Sequence, residues 1–99
     1  MPLTESVTFK AKLQRRSRIA VPRHYRWRFK MEPGELLRVS VEPLDSESGL
    51  REIFLARMNG DGRIIVPKLI MEILQQREEK DLSGVILEVT LWPSGRSEE

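Results

Sequence analysis

The ten residues from Arg18 read RIAVPRHYRW, and the ten from Arg63, 45 positions later, read RIIVPKLIME. The likeness extends outward at the same spacing: Phe9 matches Phe54, Ala11 matches Ala56 and Lys12 matches Arg57. Further on the spacing becomes 50, and Gly34 matches Gly84, Leu37 matches Leu87, Val39 matches Val89 and Pro43 matches Pro93. A chain of 99 residues that spells one unit twice is constrained by that duplication before any local propensity is considered. Each copy, at roughly 40 residues, lies near the size below which a lone unit needs a disulfide, a metal or a partner. With no cysteine and one histidine, disulfides are excluded and a Cys/His metal site is not expected. The copies are therefore expected to complete one core together, in a single domain over residues 1–99 with repeats at 7–43 and 52–93.

Within the first copy, Val7 to Leu13 alternates, with Val7, Phe9, Ala11 and Leu13 on one face and Thr8, Lys10 and Lys12 on the other, as in a half-buried strand. QRRS supplies a turn, and RIAV a short strand. Proline disfavours helical geometry in the residue before it and suits the first turn of a helix, so Val21-Pro22 marks a change from strand to helix. The helix PRHYRWRF would turn Tyr25 and Phe29 to the core and Arg23, Arg26 and Lys30 outward. MEPGE ends it, and LLRVSVEPL alternates again.

The second copy repeats this order. EIFLARM reads as a strand, NGDG as a tight hairpin turn with positive φ at both central positions, and RIIV as a strand. The helix opening at Pro67, PKLIMEILQQREEK, carries Leu69, Ile70, Ile73 and Leu74 as its apolar stripe. Its late residues Arg77 and Lys80 read as exposed bystanders. DLSG closes it before VILEVTLWP, and LDSESGLR links the copies. The expected fold class is mainly β with short helices, one β-β-α-β unit written twice.

The charge is divided between the copies. Residues 1–43 hold ten Lys/Arg against four Asp/Glu, a balance of +6, and residues 44–99 hold seven against eleven, a balance of −4. Copies that share a fold but not a charge are expected to differ in surface role. No apolar run approaches the ~20 residues of a membrane span, and MPLTESVTFK lacks a signal-peptide core, so an intracellular protein is expected.

Catalysis finds little support. There is no thiol, the carboxylates lack a partner pattern for acid–base work, and neither NGDG nor EPGE has phosphate-loop spacing. No catalytic residue, cofactor or metal is expected. His24 reads as a helix-surface residue, and Trp27 and Trp92 as packing residues rather than base-stacking platforms.

Nucleic-acid binding is better supported. Lys10, Lys12, Arg15, Arg16, Arg18, Arg23 and Arg26 place seven cations between positions 10 and 26, on a strand face, its turn and the following helix. Such a patch would neutralise the phosphates of double-stranded DNA, with affinity falling steeply in salt. Arg57, Arg63 and Lys68 occupy corresponding places in the second copy, where Gly60, Asp61 and Gly62 replace Arg15, Arg16 and Ser17. The plainer alternatives stay open: a basic strand face is often only a solvated one, and the arginine of R-I-x-V-P could serve the hairpin's own structure.

The order of strand, basic turn, [Arg/Lys]-[Ile/Val]-x-[Ile/Val]-Pro, amphipathic helix, x-Pro-Gly-[Asp/Glu] and alternating strand resembles the AbrB/MazE/SpoVT family. SRIAVPRHYRWRFKMEPGELLRVSVE fits it nearly end to end, and DGRIIVPKLIMEIL with DLSGVILEVTL fits with DLSG in place of MEPGE. The resemblance covers roughly residues 7–92. It implies a swapped-hairpin β-barrel, which most members build by homodimerising single copies and which the tandem copies could complete in one chain. It also implies a transcriptional regulator whose basic β-hairpin contacts DNA, with Lys12, Arg18 and Arg26 at the contacting positions, acting in the cytoplasm at the nucleoid. A homodimer remains open. The alternatives are an antitoxin paired with a toxin protein, for which the six residues SGRSEE after Pro93 leave little to wrap a partner, and an architectural or protein-interaction module.

Overall fold

Apolar residues at every second position along four segments build the larger of two sheets. The computed structural model describes residues 5–46, 49–79 and 81–93, so Glu47 and Ser48 of the linker, Lys80 and the segment after Pro93 lie outside the described residues. In chain order the elements are β1 (Val7–Lys12), a single 3-10 turn (Arg15–Ser17), β2 (Arg18–Ala20), α1 (Arg23–Arg28), β3 (Leu36–Pro43), β4 (Glu52–Arg57), β5 (Arg63–Ile65), α2 (Lys68–Glu78) and β6 (Ile86–Pro93). The protein is mainly β with two short helices. β1, β6, β3 and β4 lie in that order in one antiparallel sheet, and β2 pairs with β5 in a separate two-stranded ribbon.

Every ladder between these strands joins a residue of the first half to one of the second. Phe9 stands opposite Val89 where β1 meets β6, and Phe54 opposite Val39 where β4 meets β3. Ile19 faces Ile64 in the ribbon, and Ser40 faces Thr90 at the centre of the large sheet. The spacings of 45 and 50 that relate the matched residues thus relate their hydrogen-bonded partners too. The turns follow the same rule. Val21 N donates to Gly62 O at 2.9 Å, and Val66 N to Ser17 O at 2.8 Å, so each strand-ending valine is held by the other half's turn.

This pairing changes the reading of NGDG. β4 and β5 do not form a ladder with each other but enter different sheets. Asn59 N donates to Arg63 O at 2.8 Å, and Asn59 Oδ1 accepts from the amides of Asp61 and Arg63. Of the two glycines only Gly62 has positive φ, at 78°. Backbone bonds between Asn59 and both Gly62 and Arg63, together with the asparagine side chain, close this turn in place of a two-residue hairpin.

Between the sheets lies one core, formed by Val7, Phe9 and Leu13 from β1 and its exit, Leu37, Val39 and Val41 from β3, Leu87, Val89 and Leu91 from β6, and Ile19 and Ile64 from the ribbon. α1 adds Tyr25 and Phe29 as half-buried residues, with the Tyr25 ring 5.9 Å from that of Phe9. In α2 the buried face is Met71 and Leu74, flanked by Ile70 and Ile73, while Leu69 is 65% exposed. The expected stripe was therefore displaced around the helix, because the phase established after Pro67 turns positions 71 and 74 inward. Trp27, expected to pack, is 74% exposed, since Tyr25 and Phe29 take the inner face of the short α1. Trp92 is half-buried, and His24 is exposed with its ring 4.3 Å from that of Tyr25. Among the described residues no helix is long and apolar enough to cross a membrane.

Candidate nucleic-acid interface

The alternation of β1 puts Lys10 and Lys12 on the outer face of the large sheet, where Lys10 stands opposite Glu88 and Lys12 opposite Ile86. Leu13 then dives into the core, and its carbonyl accepts from Gly84 N at 3.2 Å. The chain turns at once: Gln14 N bonds Arg18 O at 2.8 Å, leaving Arg15, Arg16 and Ser17 to form the 3-10 turn. Arg16 and Ser17 have φ of 61° and 58°, the left-handed region that L residues other than glycine adopt at a cost. In the other half the position matching Ser17 is Gly62.

Lys10, Lys12, Arg15 and Arg16 are exposed and make no side-chain hydrogen bond or ion pair among the described residues. Arg15 and Arg16 project beside Lys12 around an open groove of about 520 Å³. Leu13 and the buried Met71 line it together with Gln14, Ser17, Gln75, Ser83 and Gly84. The cations of the turn therefore line one groove, and among the described residues no acidic side chain lines it.

The remaining expected residues divide into two groups. Arg18 and Arg63 lie on the outer face of the ribbon and are half-buried. Arg18 Nε donates to Arg15 O at 3.2 Å, while Arg63 Nε donates to Gln14 Oε1 at 2.9 Å and its Nη1 is 3.5 Å from Asp61 Oδ2. Both arginines of R-I-x-V-P thus brace turns. Arg23 and Lys68 begin α1 and α2 directly after the two prolines and are exposed.

Arg26 and Arg57 differ most from expectation. Arg26, expected to point outward, is half-buried; its Nε donates to Val21 O at 3.2 Å and its guanidinium lies where a Cβ on Gly62 would have to go. Arg57 is exposed but its Nη1 donates to Gly34 O at 2.8 Å. Arg57 thus holds backbone of the opposite half, while Arg26 bonds a carbonyl of its own half and packs its guanidinium against Gly62 of the other.

Arg77 is also corrected. It is not a free surface residue: it pairs with Glu52, the two side chains being 22% and 21% exposed, and its Nη1 is buried without a hydrogen-bond partner among the described residues. Sequence reasoning also passed over Gln14, the partner of Arg63. The matched positions Gln14 and Asn59, both polar and both preceding a turn, were the available signal. Next to the groove, Asp81 Oδ1 accepts from Ser83 N and Ser83 Oγ, each at 3.0 Å, and these bonds, the backbone one first, hold its carboxyl below the ordinary aspartate range.

No protein-family model and no curated protein matches the chain. The solution structure of PHS018 from Pyrococcus horikoshii superposes with a TM-score of 0.71 over 100% of both chains, at 21% sequence identity. At that identity the similarity is one of fold.

Proposed function

We propose that the protein is a small DNA-binding regulator of the AbrB/MazE/SpoVT type, with both copies of the unit in one chain, acting inside the cell on double-stranded DNA. The observation that carries this reading is the convergence of Lys12, Arg15 and Arg16, exposed and without side-chain partners among the described residues, around one turn. Partnerless cations are the ones that release DNA counterions at full effect, since none must first give up an internal bond. The exchange of strands between halves, with its matched register, supports a swapped-hairpin architecture in which the ribbon would close the large sheet into a barrel.

Contact is assigned mainly to the first copy. Arg15 and Arg16 have no cationic counterparts in Asn59–Gly62, and Arg57 and Arg63 of the second copy are committed to internal bonds. Fluorescence anisotropy on a random-sequence duplex, repeated across a salt series, tests the proposal. Affinity should fall linearly with log salt; a salt-independent signal or no binding at low salt refutes it.

A further inference from the structure

The two halves place matching segments around two equivalent spaces, and the side chains close the one at the second turn more fully than the one at the first. At the second turn, Arg26 lies against Gly62 and bonds Val21 O, while Arg57 bonds Gly34 O. At the first turn, the positions matching Arg26 and Arg57 are Met71 and Lys12. Met71 is shorter, carries no charge and lines the space rather than plugging it, and Lys12 flanks Gly84, its Cε 3.6 Å from where a Cβ there would lie. The result is the open groove of about 520 Å³, within the volume range of small-molecule sites.

Its chemistry is asymmetric. The buried Leu13 and Met71 give its lining apolar surface, and the exposed Lys12, Arg15 and Arg16 give it three cations. Gln14 is held by Arg63, and the Ser83 hydroxyl by Asp81, so those walls are fixed in place. Ser17 shares its left-handed φ with the matching Gly62, whereas Arg16 is left-handed and the matching Asp61 is not, so the two turns differ at that position. Three cations with no acidic lining residue among the described residues favour an anionic headgroup, and Leu13 and Met71 favour an apolar body.

We infer that this groove is a binding site for a small organic anion, with a phosphate or carboxylate head gripped by Lys12, Arg15 and Arg16 and an apolar portion resting on Leu13 and Met71. It shares Lys12, Arg15 and Arg16 with the proposed DNA contact, so an occupant would compete with DNA; the site itself stands whether or not DNA binds.

The test uses the full-length chain and 8-anilinonaphthalene-1-sulfonate, an aromatic anion whose fluorescence rises in such a site. Saturable enhancement with one site per chain is expected, and competition with adenosine monophosphate, octanoate and inorganic phosphate separates phosphate-headed from carboxylate-headed ligands and the head from the apolar body. Met71→Arg installs the plug that the matching half carries and should abolish the signal while adding a cation, so DNA affinity should hold or rise. Gln75→Trp, on an exposed helix position, narrows the groove without changing charge and should weaken the probe at least tenfold. It decides the matter should Met71→Arg fail to fold, with near-ultraviolet circular dichroism reporting folding. Absence of saturable binding to the wild type, or equal binding to wild type and the folded plugged variants, overturns the inference. Failure of the DNA proposal appears separately, as absence of duplex binding with the probe signal intact.

Discussion

Replacing Arg15 and Arg16 together with alanine removes two exposed cations that make no side-chain hydrogen bond or ion pair among the described residues. Each neutralised phosphate contributes about −0.9 to the slope of log affinity against log salt, so the slope should flatten by about 1.8. Between about 50 and about 200 mM salt, a change of about 0.6 in log salt, that makes the variant's loss about twelvefold larger at the low end than at the high end. Stability should scarcely move. The Arg15 carbonyl that receives Arg18 Nε is backbone, and alanine at Arg16 meets the same left-handed φ that arginine does. A surface change of this kind is worth within about 0.5 kcal/mol, under about 4 °C in Tm for a domain this size. Anisotropy titrations at four salt concentrations, with melting curves on the same samples, read both quantities. An unchanged slope at full affinity refutes the basic-turn mechanism, as does an Arg57→Ala/Lys68→Ala variant that loses binding while the Arg15/Arg16 variant keeps it.

Gly62→Ala places a Cβ against the Arg26 guanidinium at φ of 78° and should destabilise by about 1–3 kcal/mol in urea unfolding, with no effect expected if the turn could relax. Glu52→Ala and Arg77→Ala should each cost about 1–3 kcal/mol by leaving a half-buried charge without its partner, and the double variant should cost less than their sum by about 1 kcal/mol; strict additivity would deny the pair. Because Asp81 is held below the ordinary value, its contribution to stability is present at neutral pH and lost as pH falls through the lowered pKa. An NMR titration should show that pKa rising in Ser83→Ala but remaining below the ordinary value, since the Ser83 amide still donates; an unshifted Asp81 in the wild type contradicts the hydrogen-bonded turn.

The segments were legible because each carries its own period or punctuation. Alternation in VTFKAKL and VILEVTLWP, the Val-Pro boundaries and the glycines near helix ends placed strands and helices close to where they occur. The cluster at Lys12, Arg15 and Arg16 was legible for the same reason, being local in sequence. The roles of the other cations were not. Arg26 lies 36 positions from Gly62, and Arg57 lies 23 from Gly34. Nothing near either arginine in the chain distinguishes a solvated guanidinium from one bonded to backbone.

By itself the sequence determined that the chain is one unit written twice, that the unit runs strand, turn, strand, helix, strand, and that positive charge gathers in the first copy. Tertiary structure decided which strands pair. A strand's hydrophobic period says which face is buried but not which neighbour receives its hydrogen bonds, and NGDG would close a hairpin equally well had β5 not found β2. It also decided that Leu69 faces out and Met71 in, since helical phase is resolved only when the helix meets its core. Most consequentially, it separated two groups of arginines that look alike in sequence, because whether a guanidinium meets a carbonyl, a glutamine or a glycine of the other half is decided only when the halves pack.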